Sequence, residues 1–239
     1  MQWYGSLLPR IKVHIPTNSI LEIACGYGRW TQYLKDQCEK LIAIDLSEEC
    51  IQACKERFSE SRNIQYHVND GKSLDMILDG SIDFVFSFDS LVHVNEGVIE
   101  GYLSQLQRIL NKEGVAFIHH SNLGEYHTAY SRIRRIPKLE GLLARVGVLE
   151  KSLGWRDPNV DACKVAVLAE RHGLRCISQE IVPWNTKRLF IDCMSTITRN
   201  DSPMAMPNRI FKNANFMQEA RNLLRLSPLY SPDKKIASN

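Results

Sequence analysis

The chain predicts an α/β fold: a doubly wound, seven-stranded sheet, parallel except for its last strand, which runs antiparallel. Three observations predict it. Short apolar runs alternate with helical patterns from Ile20 to Asn122. The first run ends in a glycine turn, "ACGYG". Near the end, two strand-like runs stand only a short loop apart, which makes them an antiparallel hairpin. Strands joined through helices form parallel sheets with right-handed crossovers.

The elements follow in order. Residues 1–19 form an N-terminal helical segment. Ile20 to Ala24 is almost wholly apolar, as a central strand covered on both faces must be. Trp30, Tyr33, Leu34 and Cys38 then repeat at helical spacing, predicting a helix that starts near Arg29. "KLIAID" is a second strand ending in Asp45. Ser47 reads as an N-cap, followed by Glu48 and Glu49 in the first helical turn. "NIQYHVND" alternates into a third strand ending at Asp70-Gly71, and Ile82 to Phe88 is a fourth. Val98 to Leu110 is a helix, Asn111 to Gly114 a turn, and "VAFIHHSN" a fifth strand ending in two histidines. Residues 123–157 contain no confident strand and predict a lid or acceptor element. A helix from Pro158 to His172, stopped by Gly173, leads into the hairpin "LRCISQEIVPW" and "RLFIDCMSTITRN". The tail, 201–239, carries one amphipathic helix, roughly Asn215 to Leu226. One domain thus divides into a core at 20–122, the lid at 123–157, the closing helix and hairpin at 158–200, and the tail.

Composition narrows the function classes. Hydrophobic residues make up 44% and charged residues 24%, values of a soluble globular protein. The 30 basic and 27 acidic residues leave a net charge of +3, too little to argue for nucleic acid. Seven cysteines, odd in number and irregular in spacing, point to a reducing compartment with free thiols. Cys50 and Cys54 lie one helical turn apart, with no second pair near them in sequence, so a metal role is disfavoured. No apolar run reaches membrane-spanning length, and "MQWYGSLLPR" lacks the pattern of a signal peptide. The expectation is a cytoplasmic protein without a membrane partner.

The glycine turn has three rivals. A dinucleotide fingerprint wants a third glycine where Thr31 stands. A P-loop wants Gly-Lys-Ser/Thr, which is absent. An acid inside the strand, Glu22, precedes the turn instead. Glu22-x-Ala24-x-Gly26-x-Gly28 resembles the first motif of class I S-adenosylmethionine-dependent methyltransferases, with alanine in place of the first glycine. The resemblance implies a Rossmann-like sheet and a cofactor, S-adenosyl-L-methionine, that leaves as S-adenosyl-L-homocysteine. It implies that Asp45 holds the ribose hydroxyls and Asp70 the adenine amino group. Trp30, Leu46, Gly71 and Phe88 complete the expected cofactor-binding set. Taken singly, Glu22 could pair with a helix, Asp45 cap one and Asp70 shape a turn. Their order on successive strand ends favours the joint reading.

In such sheets ligands lie beyond the carboxyl ends of the strands, where strand order reverses. "SFDSLVHV" and "HHSN" sit there. An alcohol acceptor needs a base or a metal, whereas an amine needs less help. His93 is the preferred general base; its alternative is a histidine at a helix N-terminus bonding a backbone carbonyl. Asp89 either orients His93 or caps the next helix. His119 and His120 point oppositely, and His120, further out, is taken to face the acceptor. A divalent metal held by Asp89, His93 and a strand-five histidine is not favoured, because no ligand spacing is diagnostic.

"FDSLVHV", "FIHHSN" and "WRDPNVDA" resemble a bacterial subgroup of these enzymes that acts in saccharide and natural product biosynthesis. That resemblance implies O-methylation of a small polyhydroxylated acceptor such as a sugar. Trp155, Arg156 and Tyr126 are types that stack on or bond a sugar, and Trp155 fits a core equally well. Arg132, Arg134 and Arg135 suit a solvated helix face better than an anionic acceptor. An N-methyltransferase of an amine or peptide and a noncatalytic cofactor-binding subunit are the alternatives. The lid or the tail offers a surface for a homo-oligomer. No Asn/Asp-Pro-Pro-aromatic tetrapeptide follows strand four, which speaks against nucleic-acid methylation.

Overall fold

A computed structural model describes residues 2–126, 155–184 and 189–230. Most of the expected lid, with Arg132, Arg134 and Arg135, lies outside the described residues, as do the hairpin loop at 185–188 and the last nine positions.

The strands are β1 (Thr17–Ile23), β2 (Cys38–Asp45), β3 (Ile64–Val68), β4 (Ile82–Ser87), β5 (Leu110–Ser121), β6 (Leu174–Val182), β7 (Asp192–Arg199) and β8 (Arg209–Lys212). They form one sheet in the order β3-β2-β1-β4-β5-β7-β6-β8. Only β7 runs against its neighbours β5 and β6, and β8 pairs in parallel with β6. The reversed strand and the hairpin are as expected, but the sheet has eight strands where seven were expected. The eighth is a short strand of the tail, exposed at all four positions. It has no apolar alternation, so its sequence carries no strand signal.

The helices are α1 (Leu8–Ile11), α2 (Thr31–Leu34), α3 (Glu48–Arg57), α4 (Glu96–Ile109), α5 (Ala162–Arg171) and α6 (Phe216–Tyr230). A π-helical turn, Trp3–Leu7, precedes α1. Alternating strand residues build a core on each face of the sheet. Ile23, Ile44, Val85 and Ile118 pack with Leu103 and Leu106 of α4 and Leu168 of α5. Phe84, Phe86 and Phe117 pack on the other face with Trp3, Leu7 and Ile11 of the N-terminal segment, and with Phe216 of α6.

Several boundaries differ from expectation: β1 begins at Thr17, inside the segment expected to be helical, and three further differences have local causes. The helix after the glycine turn is four residues long, because the Asn63 amide bonds Lys35 O and Cys38 O and pulls the chain into β2. The turn expected at 111–114 is absorbed into β5, which begins at Leu110 opposite Ile82 through an irregular register. A Cβ on Gly114 would sit 2.8 Å from Ile82 O, so the backbones approach there as only glycine permits. The helix α5 starts four residues late. Asp157 bonds Asn159 N and holds Pro158 in a turn, and Asp161 caps the helix through Lys164 N. Ser47 caps α3 as expected, and Gly173 (φ +71°) ends α5.

Candidate active site

The glycine turn joins β1 to α2 at the carboxyl end of the sheet. Ala24, Gly26 and Gly28 all have left-handed backbones (φ 59°, 53° and 79°). The two glycines serve different ends. A Cβ built on Gly26 meets nothing within 4 Å, so its bare side faces open space. A Cβ on Gly28 would sit 2.5 Å from the Phe58 ring, so this glycine lets α3 pack against the turn. Arg57 donates to Tyr27 O and Gly28 O, and the Cys54 thiol to Gly26 O at 3.2 Å. The turn is thus fixed from behind and open in front. Because α2 is so short, its dipole adds little to the site; the cradle is the turn itself.

Glu22 is buried beneath the turn. One carboxylate oxygen accepts the Thr31 hydroxyl at 2.6 Å, and the other, Oε1, has no partner among the described residues. Burial, only partly countered by the Thr31 bond, pushes its carboxyl up to about 8. Thr31 occupies the position a dinucleotide fingerprint reserves for glycine. Here it holds the in-strand acid instead.

Asp45 closes β2, and its two oxygens accept Gly26 N at 2.8 Å and Ser47 N at 2.9 Å. Each oxygen keeps a lone pair for a further donor. Leu46, 65% exposed, lies against Gly71, whose φ is +83°. Asp70 is exposed, and bonds from Lys72 N and Ser73 N hold its carboxyl below the usual range. Beside it, buried Asn69 bonds Ser73 O and the Tyr102 hydroxyl and receives Gly71 N. Asn69 was not singled out in the sequence, where a buried amide looks like any other.

Beyond β4, Phe88 is buried and stacks on His119 with ring centres 4.4 Å apart. Asp89 has φ +65°, uncommon for a residue with a side chain. Its N–H donates to His119 Nδ1 at 3.1 Å, and its carboxylate faces Arg29 at 3.3 Å across the crevice. Arg29 in turn lies over the Trp30 ring at 4.4 Å and donates to Gln2. The Trp30 ring itself is buried, edge-on to Phe88. The Ser90 hydroxyl bonds Ala24 O and ties this loop to the glycine turn. Asp89 therefore does not cap the following helix; Asn95 does. His93 ends a 3-10 turn, Leu91–His93, and is exposed, with Nδ1 2.7 Å from the carbonyl of Trp155. The carbonyl contact weighed from the sequence is present, and Nε2 carries no bond among the described residues.

The strand-five histidines do point oppositely, but the geometry reverses their expected placement. His119 lies beside Phe88 and Asp89, with Nε2 3.3 Å from Asp192. His120 faces the other side, enclosed by Ser195 and Ser121 O, where burial pushes its pKa down to about 4. The reason is register. His119 pairs with Met194 and His120 with Cys193, and this pairing turns His120 into the core. Both rings are fully enclosed. Arg156 is buried and pairs with Asp192 through two nitrogens, while Trp155 is 71% exposed rather than core. The Tyr126 hydroxyl accepts Phe190 N. Among the described residues no group of three or more His, Cys, Asp or Glu is placed to hold a metal, and no helix is long and apolar enough to cross a membrane.

Residues 20–114 match the family described as methyltransferase domain. Over 83 residues, 34% of the chain, the sequence is 31% identical to phosphoethanolamine N-methyltransferase 1 of Arabidopsis thaliana. That match spans 17% of the plant protein. The fold is similar to an S-adenosylmethionine-dependent methyltransferase of Clostridium acetobutylicum, with TM-score 0.60 and 12% identity over 83% of this chain and 91% of that one. It is similar also to one from Methanosarcina mazei, with TM-score 0.60 and 15% identity over 81% and 98%. The open cradle at Gly26, the spare lone pairs of Asp45 and the wall of Leu46 and Gly71 fit the ribose and adenine of such a cofactor. Residues 20–114 thus match a methyltransferase domain, and the chain shares the fold of these S-adenosylmethionine-dependent methyltransferases.

Proposed function

We propose that the chain is an O-methyltransferase that methylates a hydroxyl of a small polyhydroxylated acceptor, with a sugar or glycosylated natural product as the first candidate. One observation carries the reading. An exposed imidazole, His93, and a carboxylate, Asp89, stand beyond β4, in the loop that Ser90 ties to the glycine turn. An alcohol needs such a base, because its own proton is held too tightly at neutral pH.

When bound, S-adenosylmethionine supplies a methyl group on a positively charged sulfur, which departs as a neutral thioether. Gly26, Asp45, Leu46 and Gly71 would hold it, and Asp70 would reach its adenine. His93 Nε2 would take the proton of the acceptor hydroxyl, so that its oxygen can receive the methyl group. Asp89, fixed at its N–H by His119 and at its carboxylate by Arg29, orients the acceptor. The protein's main contribution is alignment, since the donor is already reactive.

His93→Ala should lower turnover by about a hundredfold or more while leaving S-adenosylhomocysteine affinity unchanged. Normal turnover in that variant removes His93 as the base. The likeness to a plant N-methyltransferase over 83 residues supports a second reading, an amine acceptor. That reading expects the substitution to matter little.

A further inference from the structure

A cavity of about 250 Å3 lies between the N-terminal segment and α6, lined by Gln2, Ser6, Trp184, Phe216, Met217, Ala220 and Arg221. We propose that this cavity is the acceptor subsite and that it takes a single ring with a flat apolar face and an anionic edge. The inference rests on the methyltransferase reading and adds the acceptor's place and charge.

Its position comes first. Trp184 sits 6.0 Å from Phe88 and 5.3 Å from His119, ring centre to ring centre. Those two side chains abut and anchor Asp89. Gln2, also in the lining, accepts a 2.6 Å bond from Arg29, and Arg29 pairs with Asp89. Trp184 and Gln2 therefore both lead to Asp89, through His119 to its backbone N–H and through Arg29 to its carboxylate.

The surface chemistry comes next. Trp184 is half-buried, and its ring lies 6.0 Å from that of Phe216. Arg10 braces Phe216 from 4.9 Å and is itself held by Glu180 and Glu219. A rigid aromatic floor presents a flat apolar face at little entropic cost. The lining also offers donors. Gln2 has committed its oxygen to Arg29, which leaves its NH2 to donate. Arg221 has no carboxylate within ion-pair distance among the described residues, and Glu219, on the same helix, is taken by Arg10 and Asn213. An aromatic floor with the Gln2 amide and the Arg221 guanidinium as donors suits a ring that carries a carboxylate or phosphate. Pockets for drug-sized ligands run to roughly 300–1,000 Å3, so this volume suits one ring rather than a chain of rings.

Two sources share that chemistry, a sugar acid and an aromatic acid. The test uses the full chain saturated with S-adenosylhomocysteine and saturation-transfer NMR with methyl glucuronide, methyl glucoside and benzoate as probes. The glucuronide or benzoate should bind, and whichever does identifies the source. Arg221→Glu, at an exposed position, should weaken that probe about tenfold or more, and Trp184→Ala should abolish its signal. Both variants should keep wild-type S-adenosylhomocysteine affinity by calorimetry. Uncharged glucoside binding as well as glucuronide overturns the anionic edge. Probe signals that survive both substitutions, or no binding by any probe, overturn the subsite. Failure of wild type to bind S-adenosylhomocysteine would instead sink the cofactor reading, and the probe arms would still report on the cavity.

Discussion

Glu22 makes the stability of the cofactor-free chain depend on pH in a calculable way. Its carboxyl rises from an ordinary 4.5 to about 8 on folding, chiefly because burial penalises the charged form. The folded state therefore holds a proton that the unfolded state has lost. Stability is full below about pH 4.5, falls as pH rises toward 8, and is flat above that. A shift of this size, at about 1.4 kcal/mol per pH unit, corresponds to a loss on the order of 4–5 kcal/mol. Glu22→Gln keeps an oxygen for the Thr31 hydroxyl and removes the charge. The variant should melt near the wild-type temperature at pH 5 and on the order of 10 °C above it at pH 9. The measurement is thermal unfolding by circular dichroism at half-unit pH intervals, without cofactor. His120 works in the opposite sense: its pKa, lowered from 6.5 to about 4, makes stability fall as pH drops through that range. It is present in both proteins and cancels in their difference. An equal gap at pH 5 and pH 9, or a wild type more stable at pH 9, would refute the reasoning.

Other substitutions separate the roles of neighbouring groups. Gly28→Ala must fit a methyl against Phe58 at a left-handed backbone, and should cost about 2–3 kcal/mol in urea unfolding. Gly26→Ala points its methyl into the open space in front of the turn and should cost about 1 kcal/mol for its left-handed backbone, but it should weaken S-adenosylhomocysteine binding more than Gly28→Ala does, as read by calorimetry. Arg10→Ala strands two part-buried carboxylates, Glu180 and Glu219. It should lose about 2–3 kcal/mol and expose α6 to proteolysis below the global melting temperature. Arg156→Met leaves Asp192 charged and fully enclosed. His119 Nε2, 3.3 Å away, is then the group left beside it; a loss of about 3–5 kcal/mol is expected by chemical denaturation, and a neutral result would show that His119 alone suffices to hold the carboxylate.

The glycine turn and the strands around it were legible because each of their signals is local. Ile20 to Ile23 is apolar enough to be a central strand, the glycines follow at once, and Asp45 and Asp70 fall at the ends of the next two strands. The acceptor half depends on pairings that spacing does not encode. Whether His119 or His120 meets Phe88 follows from the β5–β7 register, set by residues some 70 positions away. Arg156 was read as a possible sugar contact, yet its charge is spent on Asp192, a partner 36 residues later. Trp184 and Gln2 drew no notice, because only the packing of both chain ends on one face brings them near Asp89.

The short eighth strand has a consequence for how the protein behaves in a crowded solution. Without it, β6 would present the open rim of a sheet, nine residues long and largely buried in character. Such a rim is a template for unwanted pairing between molecules. β8 covers Ser178 to Ile181 and replaces that rim with four residues beginning and ending in Arg209 and Lys212. Two copies meeting rim to rim in antiparallel fashion, in register, would set arginine against lysine and repel. The tail strand thus acts as a guard against aggregation, and its value lies in the contacts it prevents.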